Sequence, residues 1–534
     1  MIVVTAAESR RLDELTIQRY GTPGHVLMER AGAGATSALL TQFPHVRRKR
    51  VLVCAGKGNN GGDGFVIARL LRRKGVRAEV VLFGKKSDVK GDAARALAAL
   101  VRARGPISEA TTAGDLAKLP ARMEDSALLV DAVFGTGLNA PVEGRYADVL
   151  HMMNASGVPI FAVDIPSGLN ADRGTPLGVA VQAEATATFG FAKVGQLIYP
   201  GLSYVGALAV VDIGIAPEAV AEVQPQTRLL EAADVAALVP VRAPEAHKGT
   251  CGHVLVIAGS RGHSGAALMT AYAAARAGAG LTTLAGPASL NTIFALGRPE
   301  VMTLPLPDTE GFVEFDEEQI RSVLAGKSAV VVGPGMGTHE GAQKLVRFLL
   351  EEIDLPVVLD ADALTCVSRE PDVLKQAKAA ALLTPHPGEM ARLLGADTAS
   401  VQADRLGTAA AFAPAHRCTL VLKGARSLIA AADGLVWINP TGNPGMGSGG
   451  MGDALCGILG GLLAQGLTPP EAACLGVYLH GEVADHIAAE QGQIGLLASD
   501  VIEGVPRGLN RLRQVIDGHL ESSLSPRGEA RVRG

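Results

Sequence analysis

"VLVCAGKGNNGGDGFVIARLL", residues 51–71, decides how the first half of the chain folds. It opens on an unbroken apolar run and closes on an apolar run at helical spacing. Between them the chain is crowded with glycine, two asparagines and an aspartate. A buried strand running through such a turn into a helix is the opening of a βαβ unit, whose strands lie in a parallel sheet covered on both faces. Gly-rich turns at helix starts let backbone N–H groups approach an anion. This one lacks the Lys-Ser/Thr ending of a P-loop, and its glycines are not spaced G-x-G-x-x-G. It reads as a ligand loop of another kind, over 59–63, with the helix following from Asp63.

The pattern repeats outward from that stretch. "EVVLFG" (79–84), "ALLVDAVFGTG" (127–137) and "PIFAVDIPSG" (159–168) are apolar runs ending in Gly, Asp or Ser. Ligands of parallel sheets bind at the carboxyl ends of the strands, and these polar loops fall there. Residues 215–249, "IAPEAVAEVQPQTRLLEAADVAALVPVRAPEAHKG", are rich in Pro and Ala and show no buried strand. They read as a linker with a connecting helix. Alternation then restarts with "HVLVIAGS" (253–260), "SAVVVGPGMG" (328–337), "LPVVLDADAL" (355–364), "AALLTPHPGEM" (380–390) and "CTLVLKGA" (418–425), and closes on "TGNPGMGSGGMGDALCGILGGLLAQG" (441–466). The expected fold class is α/β in two domains, each a largely parallel sheet covered by helices, spanning 1–225 and 230–515. The polar tail 516–534 is expected to be disordered.

Composition narrows the classes of function. The chain has 534 residues, 48% of them hydrophobic, and a formal net charge of -4. That suits a soluble protein with ample core and gives no electrostatic case for nucleic acid or an anionic membrane. Cys54, Cys251, Cys366, Cys418, Cys456 and Cys474 form no C-x-x-C pair. They read as small hydrophobes in a reducing compartment, which points to the cytoplasm and away from zinc. "MIVVTAAESRRL" is too short an apolar run for a signal peptide or anchor.

"GSGGMGD" (447–453) opens an apolar helix. Its glycines expose N–H groups where a helix carries partial positive charge, an anion hole for a transferring phosphoryl group. Asp453 could accept a proton from a substrate hydroxyl, or could simply stabilise the helix start. "KGARS" (423–427) ends a strand and could hold nucleotide phosphate or ribose. His386 sits between two prolines with Glu389 close by, a placement open to either a structural or a ligand role. "GPGMG" (333–337) is a further loop of close approach.

Together these stretches resemble the ribokinase-like superfamily. More closely, "GHVLVIAGSRGHSGAA", "GPGMG", "LDADAL", "TPHPGEM", "LKGARS" and "NPGMGSGGMGD" resemble, in order and over nearly all of 245–510, the ADP-dependent NAD(P)H-hydrate dehydratases. The resemblance implies Asp453 as catalytic base. It implies substrate contacts from Ala266, Gly337, His386 and Asp453, and ADP contacts from Lys423, Gly424, Ala425, Arg426, Ser427 and Gly452. Met451 stands where Thr is common in the family. Backbone N–H groups make the hole, so Met should be tolerated.

"YGTPGHVLMERAG", "GNNGGDG", "DAVFGTGL" and "VDIPSGL" resemble NAD(P)H-hydrate epimerase domains, and the N-terminal sheet is accordingly expected to be Rossmann-like. The resemblance implies that Asn59, Asn60, Gly61, Gly62 and Asp63 contact a dinucleotide hydrate. Gly135, Thr136, Gly137, Leu138, Asn139, Ala140 and Pro141 would cradle its pyrophosphate, with Tyr146 nearby. Asp164 would act as acid and base beside the nicotinamide ring. Asn60, Asp131 and Ser167 would give oxygens to potassium, and a hard cation does favour oxygen. Asp131 and Asp164 taken singly fit strand-end turns equally well. Convergence of three such loops on one sheet edge favours a site.

Fusion of these domains in this order is the architecture of the bifunctional NAD(P)H-hydrate repair family. It implies epimerisation of R and S hydrates and ADP-dependent dehydration of the S epimer to NAD(P)H, AMP and phosphate. Magnesium is expected with ADP, and a homo-oligomer is expected. A ribokinase-like small-molecule kinase with a non-catalytic N-terminal binding domain is the rival reading. Domains like the first also occur in RNA-associated scaffolds, which need not keep Asp164 or the potassium ligands.

Overall fold

The computed structural model describes residues 1–516, and the tail expected to be disordered lies almost wholly outside them. The chain divides into two compact units, Ile2–Thr227 and Arg228 onward.

In the first unit the strands are β1 (Ile2–Val4), β2 (Arg50–Ala55), β3 (Arg77–Leu82), β4 (Ile107–Glu109), β5 (Leu128–Ala132), β6 (Ile160–Val163), β7 (Ala185–Phe189), β8 (Ala192–Lys193) and β9 (Ala207–Val211). Seven of them form a parallel sheet in the order β4-β3-β2-β5-β6-β7-β9. Both faces are covered, as the continuous apolar strands require. Along β2, Val51, Val53 and Ala55 enter one core while Leu52 and Cys54 enter the other. The strand order runs outward from β2 in one direction and from β5 in the other. The crevice between their carboxyl ends is the place where such sheets bind ligands.

A short strand, β10 (Thr227–Leu229), follows at the border. The stretch read as linker is thus more structured than expected. It holds helix Pro217–Val223, β10 and helix Ala232–Ala236. Pro217, Pro225, Pro240 and Pro244 break its apolar residues into runs too short for a periodic signal, yet Leu230, Val235, Ala236 and Val239 are buried in the core of the second unit.

The second unit contains β11 (His253–Ile257), β12 (Leu281–Pro287), β13 (Met302–Leu306), the small hairpin β14 (Asp308–Thr309) and β15 (Phe312–Val313), then β16 (Ala329–Val332), β17 (Val357–Leu359), β18 (Ala381–Leu383), β19 (Thr419–Leu422), β20 (Leu428–Ala430) and β21 (Val436–Ile438). Its main sheet runs β13-β12-β11-β16-β17-β18-β19 in parallel, then turns antiparallel through β20 and β21. The order reverses between β11 and β16, which again marks a crevice. Helix Met451–Ala464 is buried along almost its full length. It packs on helix Ser264–Arg276 through glycines. A Cβ on Gly457 would stand 2.1 Å from the Thr270 carbonyl oxygen, and one on Gly461 2.5 Å from that of Ala274. These glycines are there for close packing.

Candidate active sites

In the first unit the crevice between β2 and β5 opens into a cavity of about 730 Å³. Asn59, Asn60, Asp63, Gly135, Thr136, Gly137, Leu138, Tyr146 and Asp164, all picked out by sequence, line it. The "NNGGD" segment, expected as a loop, is the first turn of helix Asn59–Arg73, with Gly58 at its N-cap. The turn itself is Gly56 to Gly58. Its glycines have a packing reason beyond any ligand. A Cβ on Gly61 would lie 1.9 Å from the Gly56 carbonyl oxygen, and one on Gly62 2.7 Å from Met28 Cε. Gly61 and Gly62 are buried, and neither they nor Asn139, Ala140 and Pro141 are among the cavity's lining.

Asp164 ends β6 with a left-handed backbone, φ 66°, a conformation Asp tolerates better than most residues. Lys193 Nζ donates to its Oδ1 at 2.7 Å, to Thr188 Oγ1 at 2.8 Å and to the Phe189 carbonyl at 3.1 Å. The Gln196 amide donates to the Asp164 carbonyl at 2.7 Å. Lys193 is only 1% exposed, so the ion pair is fixed inside the protein. Sequence reasoning missed Lys193, because its partner lies far away in sequence and its strand has two residues. Burial pushes the Asp13 carboxyl up to about 6, with Lys193 opposing the shift and Asp164 adding to it. Asp63, buried more deeply, is raised well above the usual range by desolvation and then by Asp164 and Asp13.

Asp131, at the end of β5, is fully buried. It accepts from Ser167 N at 2.7 Å and Ser167 Oγ at 2.6 Å. Burial lifts its pKa to about 6 against these hydrogen bonds. Both amide atoms of Asn60 are buried without a hydrogen-bond partner. An orphaned amide oxygen, a buried carboxylate and a hydroxyl are oxygen donors of the kind a hard cation takes.

In the second unit the loops after β11 and β16 meet. Gly259 N donates to the Pro334 carbonyl at 2.9 Å and Ser260 Oγ to that of Gly335 at 2.7 Å. A Cβ on Gly335 would be 3.4 Å from Ala266 Cβ, and Gly337 N is held by Asp362 at 2.9 Å. These contacts bring the "GPGMG" loop against the start of helix Ser264–Arg276.

Asp453 lies in the first turn of helix Met451–Ala464, after Gly450 at φ 88°. Beside that turn Lys423 Nζ donates to Asp360 Oδ1 at 2.7 Å, and Glu389 is 3.9 Å from the same ammonium. A Cβ on Gly452 would stand 3.4 Å from Lys423 Nζ and 3.5 Å from Asp360 Oδ2. Lys423 is held above its ordinary value: burial lowers it, but Asp360 and Glu389 outweigh burial. Asp453 is pushed up to about 6 by burial and by Asp360, while Lys423 and His263 oppose the shift. Asp360, in the quoted "LDADAL" stretch, carried no assigned role; it proves to be the residue around which this cluster is arranged. Thr384 Oγ1 donates to it at 2.8 Å.

The Gly424–Ser427 loop is braced from beneath by Arg405, which donates to the carbonyls of Ala425 at 2.7 Å and of Leu422 and Lys423 at 3.2 Å. Nothing in the local pattern marks Arg405. His386 caps helix Pro387–Leu394, its Nδ1 accepting from Gly388 N at 3.0 Å and Glu389 N at 3.3 Å. Met451 points into the core and is 6% exposed, so the departure from the usual Thr lies away from the anion hole.

Comparison with known proteins follows the same division. Residues 254–507 match the family model for NAD(P)H-hydrate dehydratase, and residues 24–195 that for the YjeF-related protein N-terminus. The bifunctional NAD(P)H-hydrate repair enzyme of Moorella thermoacetica is 41% identical over 527 residues, covering 98% of this chain and 99% of its own. That of Escherichia coli is 35% identical, with 97% of this chain and 96% of its own covered. Among solved structures, the ADP/ATP-dependent NAD(P)H-hydrate dehydratase of Bacillus subtilis, co-crystallised with ATP and Mg2+, is 32% identical. It covers 53% of this chain and 98% of its own, with a TM-score of 0.46. With identity of this order sustained over nearly its whole length, the chain belongs to the bifunctional NAD(P)H-hydrate repair enzymes.

Proposed function

We propose that the second unit dehydrates the S epimer of NAD(P)H hydrate with ADP, and that the first interconverts the epimers so that no R form is stranded. The observation that carries the dehydratase reading is Asp453 on the opening turn of a buried helix, beside the Lys423–Asp360 pair. Asp453 takes the proton of the C6 hydroxyl as that oxygen attacks the terminal phosphoryl group of ADP. Helix N–H groups at 449–453 stabilise the spreading negative charge, a role preorganised amides perform well. Phosphate leaves C6 far more readily than hydroxide, and with it C5 loses a proton, which the departing phosphate can accept. The ring double bond is restored, giving NAD(P)H, AMP and phosphate.

Lys423, Gly424, Ala425, Arg426, Ser427 and Gly452 would hold ADP. Ala266, Gly337 and His386 would contact the hydrate. In the first unit Asp164 exchanges the proton at the ring while the helix start at Asn59–Asp63 and the segment 135–141 hold the dinucleotide.

Two metals belong to this reading. Asn60, Asp131 and Ser167 would hold potassium, whose charge would offset the buried carboxylate and pin the strand-end loops. Magnesium binds largely through substrate phosphates and water. Among the described residues no three His, Cys, Asp or Glu side chains gather as a metal cluster, so it is expected to arrive with ADP. A homo-oligomer in the cytoplasm completes the proposal; no described helix is long and apolar enough to cross a membrane.

The test is an absorbance assay on mixed hydrate epimers with ADP, ATP or no nucleotide. ADP should restore reduced nicotinamide from both epimers. Accumulation of a stable phosphorylated product would instead identify a kinase.

A further inference from the structure

No motif marks Asp13, yet it shares the first unit's cavity with Asp164. The two come from separate elements: Asp13 from helix Ala6–Gln18, Asp164 from the end of β6. Their surroundings differ. Asp164 is ion-paired to Lys193 at 2.7 Å, and that ammonium is spent on Asp164, Thr188 and Phe189. The charged groups bearing on Asp13 are Glu14 on its own helix, Asp164 after β6, Asp63 on helix Asn59–Arg73 and Lys193 on β8, with Arg10 lining the same cavity. Asp13, Asp63 and Asp164 thus line one cavity with a single buried ammonium, which is paired to Asp164 alone among them. Burial and the shared cavity disfavour further charge beside that pair, and two carboxyl groups whose surroundings differ in this way can divide acid from base. Asp13 and Asp63 both line the cavity, but Asp63 is only 8% exposed, whereas Asp13 is half-buried.

We propose that Asp13 is the second proton-transfer residue of the epimerase unit, the acid at the ring nitrogen while Asp164 is the base at the C6 hydroxyl. This rests on the reading of the cavity as the hydrate site. The Asp164 carboxylate takes the hydroxyl proton, and the O–H electron pair becomes the second bond of a carbonyl at C6. The C6–N1 bond breaks, its pair goes to N1, and N1 takes the proton of Asp13. Rotation about C5–C6 turns the other face of the aldehyde to the nitrogen. Closure reverses both transfers: N1 attacks C6 and returns its proton to Asp13, and the oxygen recovers one from Asp164. Both residues end as they began, and no co-reactant is consumed.

The experiment uses the full-length chain and isolated R hydrate, with the epimers separated by chromatography and the uncatalysed rate subtracted. Asp13→Asn should slow interconversion on the order of a hundred- to ten-thousand-fold. Asp13→Glu should recover part of the rate. Denaturant unfolding of the first unit, with its transition where the wild type has it, reports that each variant is intact. The wild type supplies a measurement independent of any variant. Burial and the neighbouring carboxylates place the Asp13 carboxyl near 6, so epimerisation should decline as pH rises beyond about 6. A near-normal rate in Asp13→Asn, a wild-type rate that is flat or rising from pH 5 to 8, or loss of the alkaline decline in Asp63→Asn alone would overturn the proposal. A wild-type chain that leaves R hydrate untouched would overturn the reading of the cavity instead.

Discussion

Asp453 must be ionised to take a proton, and burial beside Asp360 pushes its carboxyl up to about 6. The rate of dehydration should therefore climb as pH rises through about 6 and level off above it. Asp453→Asn should lose ADP-dependent dehydration on the order of a hundred- to ten-thousand-fold while epimerisation persists. Asp164→Asn should do the converse. With mixed epimers and ADP its S fraction should vanish quickly and its R fraction only at the uncatalysed rate, a biphasic trace where the wild type gives one phase. Lys193→Gln makes a different prediction, because it leaves Asp164 without its cation. Breaking a buried ion pair costs about 3–5 kcal/mol, so denaturant unfolding of the first unit should shift to lower concentration with the second unit unmoved. The positions of Asp453 and Asp164 were legible in sequence, since one ends a glycine loop and the other a strand. Lys193, Asp13 and Arg405 were not: their partners come from distant segments, and no periodicity records a contact made through the fold.

At the scale of the elements, the helix Met451–Ala464 shows where legibility ends. Its glycine-rich start reads as an anion site, and its apolar body reads as core. The glycines inside it look like helix weakeners until the neighbouring helix is in view. Gly457→Ala would drive a Cβ to 2.1 Å from the Thr270 carbonyl oxygen. Overpacking of this kind costs about 1–3 kcal/mol, and it would tilt the turn that carries Asp453. Thermal denaturation and dehydratase rate should fall together. Met451→Thr should separate them. It places a hydroxyl and a void in the core and leaves the backbone amides alone, so stability should drop by about 1–3 kcal/mol with little change in the rate per folded molecule. The same contrast explains "NNGGD". Glycine content suggested a loop, whereas the structure uses it to let a helix begin hard against the preceding turn.

At the scale of the whole molecule, the two units break at Thr227, and the site residues of each lie within its own sequence. Residues 1–225 should epimerise alone and residues 230–515 dehydrate alone; two folded fragments without either activity would refute the division. The alternation of strands and helices made the two sheets legible, but the segment between them was misjudged because its prolines break the apolar residues into runs too short to show a pattern. That segment has a practical consequence. Residues 241–250 are exposed without interruption, and Arg242 and Lys248 lie among them. Trypsin should nick the native chain here before it reaches 225–230. The severed piece would still carry Leu230, Val235, Ala236 and Val239, which are seated in the second unit's core. The cleaved protein should elute as the intact one does on gel filtration and come apart only in detergent. A boundary placed by limited digestion would then fall too late, and an expression clone cut to it would lack a plug that the folded enzyme keeps without a peptide bond.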